Sequence, residues 1–420
     1  MDKFDTLFAK LLKDPDAIER FKGGSECDIC NAIGCGGCPC NYKQLCSLIR
    51  ERIGRVFDPD EWTFCGTPVI WGASGIGKTE IVRQIFKKAQ EIFDPRFSLV
   101  EINLATKVKK NEKPIFYNKL RYQNIVFSNY YRDIADKTGV DLHEMVERMN
   151  QASDIKANGG IAEFNTETGE LEVQDEGCGG ILFFDEITYA TTDEMNTIMS
   201  VAKHRTINNI SYLGSKWTII CAANRYSDME DIGTEKFFSW DPYYNDVVCH
   251  YDYHPEFNEW KEWWLEKGLN EQVLNFLESN MKLWIQRHKD VPKYVLDPND
   301  SRTTLVGNPR NWTNFAYALN DYLTKANDYN EFEQTVQTKF NGDEGAAIEA
   351  LRTKAADGDK AARLLHLLKD CSSTDKGNYG KTTNLLTIPD EVMKEMLLST
   401  VGPTAAAFFM DYRNGLSKLS

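Results

Sequence analysis

The chain has 420 residues, 42% of them hydrophobic and 27% charged, an ordinary globular composition with length enough for two or three domains. Lysine and arginine number 49 against 63 aspartates and glutamates. The resulting net charge of −14 disfavours general binding to nucleic acid or anionic membrane, while leaving room for a local basic patch. No run of about 18 apolar residues occurs, and the opening "MDKFDTLFAKLLKDPD" is too acidic and interrupted for a signal peptide, so the expectation is a soluble, cytoplasmic protein that does not enter membranes.

Residues 3–22 space their apolar side chains as a helix does (Phe4, Leu7, Phe8, Leu11, Leu12, Ile18, Phe21), and Gly23-Gly24 end the pattern. Six of the eleven cysteines then fall between residues 27 and 46, in "CDICNAIGCGGCPCNYKQLC". Without a secretion signal these read as thiols or metal ligands rather than disulfides. Cys27, Cys30, Cys35 and Cys38 form two C-x2-C knuckles, a tetrahedral thiolate set for structural Zn²⁺. An iron–sulfur cluster is the rival, with Cys40 and Cys46 as further ligands, and reduced thiols without metal are the plain alternative. A short helix is expected near 44–55.

"TPVIWGASGIGKTEIVRQIFKKAQEIF" reads as strand, glycine-rich loop and amphipathic helix, and Gly72 to Thr79 fit G-x-x-x-x-G-K-[ST]. In such a cradle the backbone N–H groups of Gly72, Ala73, Ser74, Gly75, Ile76 and Gly77 surround phosphates. Lys78 pairs with the β and γ oxygens, and the Thr79 hydroxyl holds Mg²⁺. "FSLVEINL" and the weaker "NIVF" are expected strands, and residues 157–177 alternate about a turn like a hairpin. "GGILFFDEIT" ends a strand with Asp185, placed to bind Mg²⁺ through water, and Glu186, placed to polarise an attacking water. "KWTIICAANR" ends another with Asn224, which can orient that water. Strands alternating with helices imply a parallel α/β sheet with active residues at the carboxyl ends of its strands.

After residue 254 the strand signals stop, and Trp260, Trp263 and Trp264 stand at helical spacing, as packing residues rather than base-stacking ones. "HYDYH" reads as a surface turn, and residues 341–382, richer in Gly, Asp and Lys, as a partly mobile stretch before the closing helices. The expected organisation is therefore an N-terminal helix and cysteine-rich segment over 1–55, an α/β ATPase domain over 56–253 and a helical lid over 254–420.

In this order these motifs resemble the AAA+ ATPases. "GASGIGKTE", "GGILFFDEIT", "CAANRYSD", "HPEFNEWKEWW", "NPRNW" and "VGPTAAAF" look like the MoxR-like branch, especially its phage and bacterial versions with a dynein-related AAA domain. The resemblance spans roughly residues 60–415. It implies a P-loop AAA+ sheet with a C-terminal helical lid, ATP bound between them and hydrolysed with Mg²⁺. It further implies a homo-oligomeric ring of six subunits remodelling a protein client, in a host's cytoplasm if phage-encoded. Within that resemblance Asn224 is the first sensor and Arg310 the lid arginine that reaches the γ-phosphate. One departure stands out: "EDIGTEKFFSWDPYYNDVVCHYDY", where such rings usually carry an arginine finger, contains no arginine. Lys236, Arg225 or Arg205 would have to substitute, or turnover would be slow. A DNA-handling motor and a nucleotide-gated scaffold with little turnover are the alternatives.

Overall fold

The computed structural model describes residues 38–47, 49, 67–106, 108–110, 116–118, 125–207, 211–224, 247–286, 305–355 and 358–418. They fall into two compact units that divide after Glu256.

The first unit carries strands β1 (Cys38–Cys40), β2 (Thr67–Trp71), β3 (Ser98–Asn103), β4 (Val108–Lys110), β5 (Phe116–Asn118) and β6 (Ile161–Phe164). It continues with β7 (Leu171–Asp175), β8 (Gly180–Asp185), β9 (Thr206–Ile207), β10 (Ser211–Leu213), β11 (Trp217–Ala223) and β12 (Val248–Tyr253). The main sheet runs β1-β12-β2-β11-β8-β3-β4. Its five central strands, β12 to β3, are parallel, and β4 turns back antiparallel on β3. β2, β8 and β11 are buried at every residue, as unbroken apolar runs must be when both faces of a parallel sheet are covered. β2 and β3 are consecutive in the chain yet separated by β11 and β8. The strand order therefore reverses beside β2, which opens a crevice at the carboxyl ends.

Helix α1 (Lys78–Ile92) follows β2 and buries Ile81, Val82, Ile85 and Ala89 along one face. Between β3 and β8 the chain inserts α2 (Ile125–Thr138), α3 (Leu142–Ala157, capped by Asp141) and the antiparallel hairpin β6–β7, the last as the alternation predicts. The expected strand at "NIVF" is instead the start of α2. Ile134 and Ala135 of that helix bury against Met145 of α3, which a strand would not allow, and a four-residue apolar run cannot reveal that contact. α4 (Thr192–His204) begins with a reciprocal capping box between Thr191 and Glu194.

β1 was not foreseen. It pairs in parallel with β12, Cys38 to Tyr251 and Cys40 to Tyr253, so the sheet reaches into the cysteine-rich stretch. Three residues containing a proline give little strand signal, and proline is tolerated here because β1 is the sheet edge.

The second unit has no strand among its described residues. It contains α5 (Phe257–Glu266), α6 (Glu271–Ser279), the 31-residue α7 (Pro309–Lys339), α8 (Glu344–Ala355), α9 (Asp359–Asp370), α10 (Ser373–Tyr379), α11 (Asp390–Leu398) and α12 (Gly402–Ser417). Trp264, Phe276, Trp312, Phe315 and Phe409 form its core, with Trp260 and Trp263 packed against it. Two of the core indoles are hydrogen-bonded: Trp312 Nε1 donates to the Leu283 carbonyl at 2.8 Å and Trp264 Nε1 to that of Asn270 at 3.1 Å. Residues 341–382 are not a loose connection but hold α8, α9 and α10, anchored by Ala347 and Leu364 against Phe332 and Val336 of α7.

Candidate functional site

The loop between β2 and α1 is shaped by close backbone approach. Gly77 has φ +102° and Gly75 φ +79°, left-handed values open to glycine at no steric cost, and they turn the chain into the first residue of α1, Lys78. A Cβ on Gly72 would lie 3.1 Å from the Tyr253 carbonyl at the end of β12. The amino end of α1 thus faces the crevice as an anion site.

Lys78 is 5% exposed, and its ammonium donates to the Gly72 carbonyl at 2.8 Å, the Ala73 carbonyl at 3.0 Å and Asn224 Oδ1 at 2.8 Å. On its other side Asn224, 7% exposed, donates from Nδ2 to Glu186 Oε2 at 2.7 Å. The amide orientation follows from charge, since the reverse would set NH₂ against ammonium and oxygen against carboxylate. One amide therefore couples the phosphate-side cation to the carboxylate expected to act on water. Alongside, Thr79 Oγ1 donates to Asp185 Oδ2 at 2.8 Å, and the Glu186 N–H donates to Asp185 Oδ1 at 3.0 Å. Glu186 takes φ +57°, ψ +46°, a conformation that costs a non-glycine residue on the order of 1 kcal/mol and turns its side chain off the strand line.

Two supports around this cluster were not read from sequence. Arg83, one turn beyond Thr79, makes a forked ion pair with Glu101 of β3, Nη2 to Oε1 at 2.8 Å and Nε to Oε2 at 3.0 Å, and Glu101 is 2% exposed. This pair ties α1 to the sheet, and a glutamate inside "SLVEIN" was its only sequence signal. The second is His250 of β12, whose Nδ1 accepts from Trp71 Nε1 at 2.7 Å, immediately before Gly72. Burial pushes this imidazole down to about 4 from its ordinary 6.5. Between those two values the unfolded chain takes up a proton that the folded one refuses, so stability held above pH 6.5 is lost as pH falls toward 4. The expected loss at pH 5 relative to pH 7 is about 2 kcal/mol from this residue. Urea unfolding at both pH values should show it, and a His250→Gln variant should lack that part of the difference.

Arg310 is exposed at the start of α7, just after the Asn308 cap, in the second unit. Cys27, Cys30 and Cys35 lie outside the described residues, as do Arg225 and Lys236. Cys38 is described only as part of β1, while Cys40 and Cys46 are buried in the first unit. Cys221 is core, its thiol pushed up to about 12 by burial. Among the described residues no group of three or more His, Cys, Asp or Glu is arranged to hold a metal ion; "HYDYH" is not the expected surface turn but runs along β12 as far as Tyr253, paired with β2, and its His254 Nε2 meets Asp252 Oδ2 at 2.8 Å. Nor, among them, is any helix long and apolar enough to cross a membrane.

Arg205 does not suit the part of a cation offered to a neighbouring subunit. Its guanidinium donates from Nη1 to the Gly214 carbonyl at 3.0 Å and from both Nη1 and Nη2 to the Trp217 carbonyl at 2.8 Å. Trp217 opens β11, whereas Asn224 follows its other end, so Arg205 sits at the amino end of the strand, away from the cradle.

A phosphate cradle at the reversal point of a parallel sheet, with an acidic pair on the next strand but one, defines a P-loop nucleotide-binding α/β domain. Residues 68–235 match the AAA family, described as the ATPase family associated with various cellular activities, so this part of the chain is an AAA domain and ATP binding is supported. No curated protein matches the chain. Among solved structures, PCH-2 of C. elegans is similar over 78% of this chain and 68% of that one, at 11% identity and a TM-score of 0.27. NtrX from Brucella abortus in complex with ATP is similar over 77% of this chain and 67% of that one, at 13% identity and a TM-score of 0.26. At such scores neither likeness carries a functional argument.

Proposed function

We propose that the chain is a Mg²⁺-dependent AAA+ ATPase of the MoxR-like type that spends ATP on remodelling a protein client, acting as a homo-oligomeric ring. The observation that carries the reading is the hydrogen-bonded line Lys78–Asn224–Glu186 beside the Thr79–Asp185 pair. The residues fit the absent groups: a buried cation and helix amino end for phosphate, and a hydroxyl paired with a buried carboxylate for a hard divalent cation. Bound there, Mg²⁺ would neutralise phosphate charge. Glu186 would accept a proton from the attacking water while Asn224 holds its carboxylate in place. Arg310 is assigned to the γ-phosphate by resemblance, so Arg310→Ala should slow turnover in the same assay.

The deciding experiment is steady-state phosphate release from ATP by the purified chain, with Mg²⁺ and with EDTA, together with nucleotide affinity and size measurement. Mg²⁺-dependent release is expected. Nucleotide binding without release would support the gated scaffold instead, a reading favoured by the arginine-free segment before β12. Absence of both would overturn the assignment. For the cysteine-rich segment the proposal is about one structural Zn²⁺ per chain on Cys27, Cys30, Cys35 and Cys38, and elemental analysis showing iron or no metal would refute it.

A further inference from the structure

We propose that the edge strand β1 and the turn after it form a latch that holds the phosphate cradle in its nucleotide-binding geometry, with Tyr42 as the positioning residue. The proposal rests on the nucleotide-binding reading of that cradle. Asn41 follows β1 directly and caps the helix through residues 42–47. Its Oδ1 accepts from the Gln44 N–H at 3.0 Å, and Gln44 Oε1 accepts from the Asn41 N–H at 3.0 Å, a reciprocal cap that fixes the start of the helix. Leu45 and Ile49 anchor the segment by complete burial.

From this turn, polar contacts run to both sides of the cradle. On the strand side the His254 N–H donates to the Cys40 carbonyl at 2.9 Å, and Asn41 Nδ2 donates to Glu256 Oε1 at 2.9 Å, so the segment holds the end of β12. That end carries the Tyr253 carbonyl, whose close approach leaves no room for a Cβ on Gly72. On the helix side Tyr42 Oη donates to Gln84 Oε1 at 2.8 Å, and Gln84 Nε2 donates to Glu80 Oε1 at 3.3 Å, in the residue after Thr79. The Tyr42 bond is partly buried whereas the Asn41–Glu256 bond is exposed, so Tyr42 carries more of the docking. The latch is built to be reversible. β1 pairs over three residues at the sheet edge, and its proline donates nothing to the ladder, which puts it at the low end of local stability. The loop it braces turns on two left-handed glycines and has little stiffness of its own, so a shift of β12 or α1 moves the cradle. Such coupling is reciprocal: what docking gives to nucleotide affinity, bound nucleotide returns as protection of the docked strand.

The test reads both directions on the full chain. A fluorescent ATP analogue is titrated into the parent, Tyr42→Phe, Gln84→Met and the double variant. Each single variant is expected to weaken binding about threefold to tenfold, the range of one hydrogen bond, and the double variant to fall within about twofold of the weaker single, because both changes remove the same contact. Separately, N-ethylmaleimide labelling of the buried Cys40 and Cys46, assigned by peptide mass, is expected to slow at least about threefold when ADP saturates the parent, and less in Tyr42→Phe. Cys221, at the centre of the sheet in β11, is the control for global unfolding and should label more slowly than either. Gln84→Met lies on α1, so the test stays decisive should Tyr42→Phe fail to fold. Parental affinity in the folded single variants, additive losses in the double variant, or labelling of Cys40 and Cys46 that follows Cys221 would overturn the latch and leave the nucleotide reading intact. Failure of the parent to bind the analogue would overturn both.

Discussion

Glu186→Gln is expected to bind ATP with affinity within about threefold of the parent and to lose about 10²–10⁴ in turnover, whereas Lys78→Ala should lose nucleotide binding itself. The glutamine keeps an oxygen that can accept from Asn224 Nδ2, so the line from Lys78 to residue 186 survives and only proton acceptance is removed. Alanine at 78 removes the buried ammonium on which the Gly72 and Ala73 carbonyls and Asn224 Oδ1 converge, so the loop loses both its phosphate charge and its internal tie. A fluorescent ATP analogue measures the first property and single-turnover phosphate release the second. Parent-rate hydrolysis by the Glu186 variant would mean that another group takes the water's proton.

The cluster was legible in the sequence because its parts are local. Gly75, Gly77, Lys78 and Thr79 fix one turn into a helix, and Asp185 and Asn224 each end an apolar run, so order along the chain already predicts shared placement at one end of a sheet. The hydrogen bonds across strands were not legible, since Asn224 meets Lys78 over 146 residues and Arg83 meets Glu101 between a helix and a strand that periodicity treats separately. For the same reason "NIVF" misled, since the helix it opens buries Ile134 and Ala135 against Met145 only farther along the chain, and "CPC" gave no hint of a strand whose partner lies past residue 247. Composition hid α8 and α9 because the Gly, Asp and Lys of residues 341–382 drew attention away from the apolar spacing that packs Ala347 and Leu364 on Phe332 and Val336.

Arg205→Ala is expected to destabilise the first unit by about 2–3 kcal/mol while leaving turnover per folded molecule within about twofold of the parent. Arg205 ends α4 in the left-handed region, φ +53°, and its carbonyl accepts from the Leu213 N–H at 2.7 Å, so backbone and side chain together fasten the β9–β10 hairpin onto β11. Burial is the largest influence on its guanidinium and pushes it down from its ordinary value, with Tyr212 and Asp154 opposing. Alanine would relieve that desolvation but leave the Gly214 and Trp217 carbonyls without their donor, and the second effect is the larger because they lie in a water-poor site. Arg205→Lys should recover less than half the loss, as a point charge cannot fork between two carbonyls. A cation completing a neighbour's site would behave in the opposite way, costing at least tenfold in turnover with little change in unfolding. If urea unfolding of Arg205→Ala matches the parent while turnover collapses, the residue acts across a subunit boundary after all. With the structural outcome, the search for the missing cation narrows to Arg225, Lys236 or a partner protein.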